Sequence, residues 1–138
     1  MAAPAPTFNP SLSRLPVYMS IHWIPLTAVT DVEALRQTSL EVPCLIFKHS
    51  TRCNISAIAK FRLEDDWDFP EGTVQPYLLD LIAYRAVSNY VAETFDVYHE
   101  SPQVLLLVGG ECVYDASHLD ITVAELHEAL DGVAQQRL

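Results

Sequence analysis

The sequence is poor in residues that several common protein classes require. Three cysteines in 138 residues are too few for the disulfide framework of a small secreted protein. Only four glycines are present, and they form no phosphate-binding loop. The longest apolar runs, such as Val104–Val108, are far too short to span a bilayer. A cysteine that matters in this chain is therefore expected to be reactive or metal-binding rather than a structural cross-link.

Basic residues are also scarce: eight Lys and Arg stand against eighteen Asp and Glu, which gives a formal net charge of −10. Nucleic acids and anionic membranes are bound by basic surfaces, so we expect neither as a partner. The few bases are unevenly distributed. No acid lies between Glu41 and Glu64, yet four of the eight bases do: Lys48, Arg52, Lys60 and Arg62. This window predicts a local positive region around Cys53.

Half of the residues are hydrophobic, as is typical of one packed domain of this length. The N-terminal segment has neither the basic start nor the apolar stretch of a signal peptide, so we expect a cytoplasmic protein. Four prolines, at positions 4, 6, 10 and 16, interrupt any helix or strand pattern there. We predict a loosely ordered tail over residues 1–17 and a single domain over residues 18–138.

Hydrophobic periodicity and turn signals predict nine elements in the order β-α-β-α-β-α-β-β-α. In chain order they are a strand over Ile21–Leu26, a helix over Asp31–Ser39, a strand over Pro43–Phe47, a helix after Cys53, a strand over Tyr77–Ala83, a helix over Arg85–Phe95, strands Val104–Val108 and Cys112–Tyr114, and a last helix from Val123. Capping-box spacing at Thr30 and Thr122 suggests two of the helix starts. The acidic run Glu64–Glu71 is interpreted as a solvated loop. Alternating elements followed by a hairpin indicate an α/β fold with a mixed sheet flanked by helices, the thioredoxin-like order.

Cys53 is the strongest candidate for a functional residue. Thiol exchange requires a thiolate, which helix N-termini, nearby cations and hydrogen bonds stabilise. Cys53 follows a predicted strand and begins a helix whose residues Ile55, Ile58 and Ala59 share one face. Nearby Arg52, Lys48 and His49, together with the hydroxyl and N–H of Ser56 three residues on, are the predicted thiolate-stabilising groups. Because Cys53-Asn54-Ile55-Ser56 lacks a second cysteine, a one-thiol mechanism is predicted. The alternative is that Cys53 is a buried packing residue.

A second landmark supports the redox interpretation. Ser101-Pro102 immediately precedes an apolar strand, where thioredoxin folds have a cis-proline that faces the active thiol. On that fold Ser101 and Pro102 are the predicted substrate-binding residues. Cys44 and Cys112 are interpreted as packing residues. A metal site at His49, Cys53 and His99 is an alternative, but the spacing fits no common zinc pattern and supplies too few ligands, so no metal is expected.

Three blocks of sequence resemble the YtxJ family, the monothiol bacilliredoxins. They are Ile46–Ser56, Tyr77–Asn89 and Val97–Leu105, joined by the Ser117-His118 pair before the last helix. The resemblance implies a thioredoxin-like fold and removal of bacillithiol from S-bacillithiolated proteins, with Cys53 as the reactive cysteine and Pro102 as the cis-proline. Many members have Cys-Pro-Ile-Ser at the active site, whereas this chain has Asn54 in place of the proline.

The resemblance implies no bound cofactor, a low-molecular-weight thiol such as bacillithiol as co-substrate, and S-thiolated cytosolic proteins as partners. Bacillithiol carries a malate group, which the positive charge expected at Lys48, Arg52 and His49 suits. The competing hypothesis is a thioredoxin-fold binding module or stress adaptor that uses the face around Cys53 and Pro102 without catalysis.

Overall fold

The computed structural model describes residues 20–136, so the predicted tail lies outside the described residues. The helices and strands, in chain order, are β1 (Ile24–Pro25), α1 (Val29–Thr38), β2 (Cys44–His49), α2 (Asn54–Asp66), β3 (Gln75–Asp80), α3 (Arg85–Phe95), β4 (Gln103–Val108), β5 (Glu111–Ser117) and α4 (Val123–Gln136). A short 3-10 turn, His118–Asp120, precedes α4. This order confirms the predicted α/β architecture. Within residues 20–136 no helix is both long and apolar enough to cross a membrane.

The five strands form one mixed sheet in the order β1-β3-β2-β4-β5. The first three strands in that order are parallel, and β4 and β5 are antiparallel to their neighbours. The turn between β4 and β5 is Gly109-Gly110, whose φ angles of 65° and 83° lie in the left-handed region. Glycine adopts this region at no steric cost, which is why the glycine pair predicted the hairpin correctly.

The core has two layers because successive side chains of β2 point to opposite faces of the sheet. Leu45 and Phe47 pack with α2 and α4 on one face. Cys44 and Ile46 pack with α1 and α3 on the other face. The same alternation places Lys48 on the α1/α3 face and His49 on the α2/α4 face.

The predictions for the end of α2 and for the start of α1 were wrong. The acidic run does not begin a loop, because Glu64–Asp66 is the last turn of α2 and Trp67 and Phe69 beyond it are buried in the core. Helix α1 does not begin at a Thr30 cap. Instead, the Asp31 carboxylate accepts hydrogen bonds from the N–H groups of Thr27 and Ala28, at 3.1 Å each.

Helix α2 also presents a different face from the one expected. Ile55 and Ile58 are 43% and 49% exposed, whereas Ser56, Ala59 and Leu63 are buried. Small side chains at positions 56 and 59 let the first turns of α2 lie close to the sheet. The position of Cys53 therefore depends on a tight contact between α2 and β2.

Candidate active site

Cys53 is the N-cap residue of α2. Its backbone is extended (φ −114°, ψ 121°), its N–H donates to the Ser50 carbonyl at 3.2 Å, and its carbonyl accepts from Ala57 N–H at 3.1 Å. The cysteine is free and partly exposed. The first turn of α2 contains no acidic residue, so no carboxylate competes for the positive end of the helix. The thiol is thus accessible at a helix terminus that favours a negative charge.

Ser56 fixes the turn that carries Cys53. It is fully buried, its Oγ lies 2.6 Å from Nδ1 of His49, and it accepts a hydrogen bond from Ser50 N–H at 3.0 Å. The sequence interpretation placed this hydroxyl against the sulfur. In the structure it instead connects the end of β2 to the first turn of α2, and so holds the Ser50–Ser56 segment in shape.

His49 belongs to an aromatic stack rather than to a cationic cluster. Its ring stacks on Phe47 at a centroid distance of 5.7 Å, and Phe47 stacks on Trp23 at the same distance. Burial lowers the pKa of His49, and Lys60 lowers it further, against the smaller opposing effects of Asp80 and Glu64. The lowered pKa favours the uncharged imidazole, so His49 is a weaker source of positive charge than the sequence suggested.

The basic window divides into groups with different surroundings. Lys48 is fully buried, and its Nζ lies 3.3 Å from the Ser88 carbonyl oxygen of α3 and 3.2 Å from Nδ1 of His99. These bonds lie on the sheet face opposite α2. The Lys48 ammonium therefore contacts α3 and His99 and does not contact the Cys53 thiol. Lys60 forms an ion pair with Glu64. Arg52, directly beside Cys53, is exposed.

The Ser101–Pro102 peptide bond is cis, as expected for this position. Strands β2 and β4 are antiparallel neighbours with Lys48 opposite Gln103, so the residues after β2 and those before β4 lie at one edge of the sheet. Pro102 is buried and Ser101 is partly exposed. The structure thus brings the Cys53 turn and the Ser101–Pro102 segment to the same edge.

The other two cysteines lie at the opposite edge. Cys44 begins β2 and is paired with Leu107 of β4, which in turn is paired with Cys112 of β5. Burial raises the pKa of each of these two thiols to about 11. Both properties fit the packing role predicted for them. At roughly 3.3 Å per strand residue, the length of β2 alone separates Cys44 from the Cys53 edge by about 16 Å.

The two histidines of the alternative metal site do not converge. His49 stacks on Phe47 on the α2/α4 face, whereas His99 contacts Lys48 and Ser88 on the α1/α3 face. The sheet lies between the two rings. Sequence reasoning missed the Lys48–His99 contact, although a lysine inside an otherwise apolar strand was a signal for a buried polar partner.

Comparison with known proteins agrees with this geometry. The family model described as monothiol bacilliredoxin BrxC matches residues 24–126. A solved thioredoxin-fold protein assigned to the oxidoreductases is 32% identical, with a TM-score of 0.67 over 77% of this chain and 91% of that one. Thioredoxin from Trypanosoma brucei brucei has a TM-score of 0.64 at 12% identity, covering 83% of this chain and 92% of that one. Malassezia sympodialis thioredoxin has a TM-score of 0.57 at 17% identity, covering 80% and 95%. These last two show the fold alone. The chain therefore belongs to the monothiol bacilliredoxin family and has the thioredoxin fold of thiol–disulfide oxidoreductases.

Proposed function

We propose that this protein removes bacillithiol, or a similar low-molecular-weight thiol, from protein mixed disulfides through Cys53. One observation carries the proposal: Cys53 is partly exposed at the start of α2, while the chain's two other thiols lie at the far edge of the sheet. The residue three positions after Cys53 is a buried serine. With no second thiol near Cys53, a mixed disulfide on that residue has to be resolved by another molecule.

The reaction is two successive thiol–disulfide exchanges. The Cys53 thiolate attacks the bacillithiol sulfur of the substrate; a new S–S bond forms to Cys53, and the substrate cysteine leaves as a thiolate that takes up a proton from solvent. A second low-molecular-weight thiol, as its thiolate, then attacks the bacillithiol sulfur on Cys53. It forms a small-molecule disulfide and releases the Cys53 thiolate. No bound cofactor takes part, because the oxidising equivalent passes from the substrate to the small disulfide.

The surroundings of Cys53 suit such a substrate. Exposed Arg52 is placed for the carboxylates of a malate-bearing thiol, on a protein that is otherwise strongly acidic. Ser101 and Pro102, at the same edge, are proposed to dock the polypeptide that carries the mixed disulfide. The partners are then S-thiolated proteins of the cytoplasm, and Asn54 fills the place that proline has in many relatives.

The test is turnover of a purified S-bacillithiolated protein, with release of the small thiol followed by mass spectrometry. Cys53→Ser is expected to abolish release, because no other thiol lies at this edge. Cys44→Ser and Cys112→Ser are matched controls that remove a thiol at the far edge, and both should retain activity. Full activity of Cys53→Ser would end the proposal. Binding of S-thiolated proteins by the wild type without any turnover would favour the adaptor hypothesis instead.

A further inference from the structure

Two buried polar side chains lie side by side beneath the segment that leads into Pro102. Lys48 of β2 and Gln103 of β4 are directly paired across the sheet and are 0% and 1% exposed. Directly paired residues of neighbouring strands point to the same face, so both side chains lie on the α1/α3 face. Placing a lysine and a glutamine in the interior is unfavourable unless their polar atoms find partners. The partners of both lie in Tyr98–Pro102 or in α3.

The Lys48 ammonium joins three parts of the chain. Nζ donates to the carbonyl oxygen of Ser88 in α3 at 3.3 Å and lies 3.2 Å from His99 Nδ1. An ammonium can only donate hydrogen bonds, so Nδ1 of His99 is the acceptor and the ring proton is on Nε2. Burial lowers the pKa of His99, and Lys48 and Arg85 lower it further, against the opposing effect of Glu100. The lowered pKa thus favours the neutral ring, which is the form that an accepting Nδ1 requires.

Gln103 holds the same segment through its backbone. Its Nε2 donates to the Tyr98 carbonyl at 2.9 Å, and its Oε1 accepts from Glu100 N–H at 3.4 Å. The amide therefore bonds to the residues immediately before and after His99. Together, Lys48 and Gln103 bond to three consecutive residues of the loop Tyr98–Pro102, by one side chain and two backbone groups.

We propose that Lys48 and Gln103 are positioning residues that hold the loop Tyr98–Pro102 in the shape that receives the polypeptide carrying the mixed disulfide. This inference rests on the proposed function. Lys48 acts through the His99 ring and Gln103 through the backbone, and neither touches substrate. The role differs from the thiolate contact that sequence proximity to Cys53 suggested for Lys48, because the sheet separates the Lys48 ammonium from α2.

The kinetic test uses the full chain and an S-bacillithiolated protein. Lys48→Met keeps most of the side-chain volume but removes the donor, and is expected to raise KM for the protein substrate about 10-fold with kcat within about 2-fold of wild type. The rate of Cys53 alkylation by iodoacetamide should stay unchanged. A slower alkylation in Lys48→Met would show that Lys48 acts on the thiol and would overturn the proposal.

The His99 variants separate positioning from general structural damage, since this side chain is only partly buried. His99→Asn keeps an acceptor for the Lys48 ammonium and should retain a near wild-type KM. His99→Leu removes the acceptor and should match Lys48→Met. The double variant Lys48→Met/His99→Leu is expected to be no worse than Lys48→Met alone, because Lys48→Met already removes the Lys48–His99 contact. Additive losses in KM would overturn the proposal.

Amide hydrogen exchange provides a readout that does not need activity. In Lys48→Met and His99→Leu, exchange at the Glu100 amide, which donates to Gln103 Oε1, should accelerate about 10-fold or more, while amides of α4 stay as in the wild type. Unchanged exchange in the loop would overturn the positioning role even if turnover is normal. A failure of the proposed function would be recognised by other results: the wild type would show no turnover, or Cys53→Ser would remain active. In either case the hydrogen-exchange measurement would still decide whether Lys48 positions the loop.

Discussion

Lys48 should make the free energy of unfolding rise with pH between about 8 and 10.5, whereas a lysine stabilised by an ion pair would make it fall. Its side chain is completely buried, and burial lowers its pKa from 10.5 to about 8. Because a tenfold change in a protonation equilibrium corresponds to about 1.36 kcal/mol, the charged form is disfavoured in the folded state by about 3 kcal/mol. Between these two pKa values the unfolded chain holds more protons than the folded chain.

The sign of the effect follows from that proton difference. Below about pH 8 both states carry the charge and the full penalty is present. As the pH rises from 8 towards 10.5, the folded lysine loses its proton first and this contribution to the free energy of unfolding increases. In Lys48→Met the contribution is absent. The stability of the variant relative to wild type should therefore fall by about 2–3 kcal/mol between about pH 7 and pH 10.

The assay is urea unfolding of both proteins across that pH range. Other groups add their own pH dependence in this range, Cys44 and Cys112 among them, because the pKa of these thiols is about 9 in the unfolded chain but about 11 in the folded one; they are common to both proteins and cancel in the difference. Lys60→Met is the matched control, since it removes the same formal charge from a partly exposed side chain that is paired with Glu64. A difference between wild type and Lys48→Met that stays constant with pH would refute the reasoning.

Two further predictions follow from burial. Iodoacetamide at about pH 7.5 should modify Cys53 well before Cys44 and Cys112. Burial raises the pKa of the latter two thiols to about 11 and leaves them almost entirely protonated. Equal labelling of all three cysteines, measured by peptide mass spectrometry, would contradict this. Ala59→Leu should lower the free energy of unfolding by about 1–3 kcal/mol, since Ala59 is buried between α2 and the sheet, whereas Ala57→Leu on the exposed face should change it by less than about 0.5 kcal/mol. Equal effects of the two leucines on urea unfolding would show that α2 is not closely packed there.

Most of the element order was predictable because its signals are local. The helix Arg85–Phe95 has one apolar face, which matches the observed α3 to the residue. The hairpin follows from two adjacent glycines, which need no information about the rest of the chain. Thr122 was correctly interpreted as a cap, because its Oγ1 accepts from Glu125 N–H at 3.1 Å.

The end of α2 was not predictable from the same kind of signal. A run of acids suggested a solvated loop, but glutamate and aspartate on the outer face of a helix continue it at little cost once the helix is anchored elsewhere. Here the anchor is tertiary. Glu64 accepts hydrogen bonds from Trp23 Nε1 at 3.0 Å and from Lys60. The partner 41 residues away is invisible to a window of local sequence.

The candidate site shows the same division between local and tertiary information. The position of Cys53 at a helix start was predictable, but the roles of its neighbours were assigned from closeness in sequence. Strand alternation sends His49 and Lys48 to opposite faces, and each then joins a different polar cluster. His49 and Ser56 fix the turn that carries the thiol, whereas Lys48 and Gln103 fix the loop proposed to dock its partner.

The two halves of the site should respond independently to substitution. The His49–Ser56 contact and the Lys48–His99 contact lie on different faces of the sheet and share no side chain. Energetic effects of substitutions that share no partner are expected to add. Ser56→Ala and Lys48→Met should therefore give additive changes in the free energy of unfolding, while only the former disturbs the turn at Cys53. Strong coupling between them would mean that the turn and the loop Tyr98–Pro102 move as one unit, which would contradict independent positioning of the two.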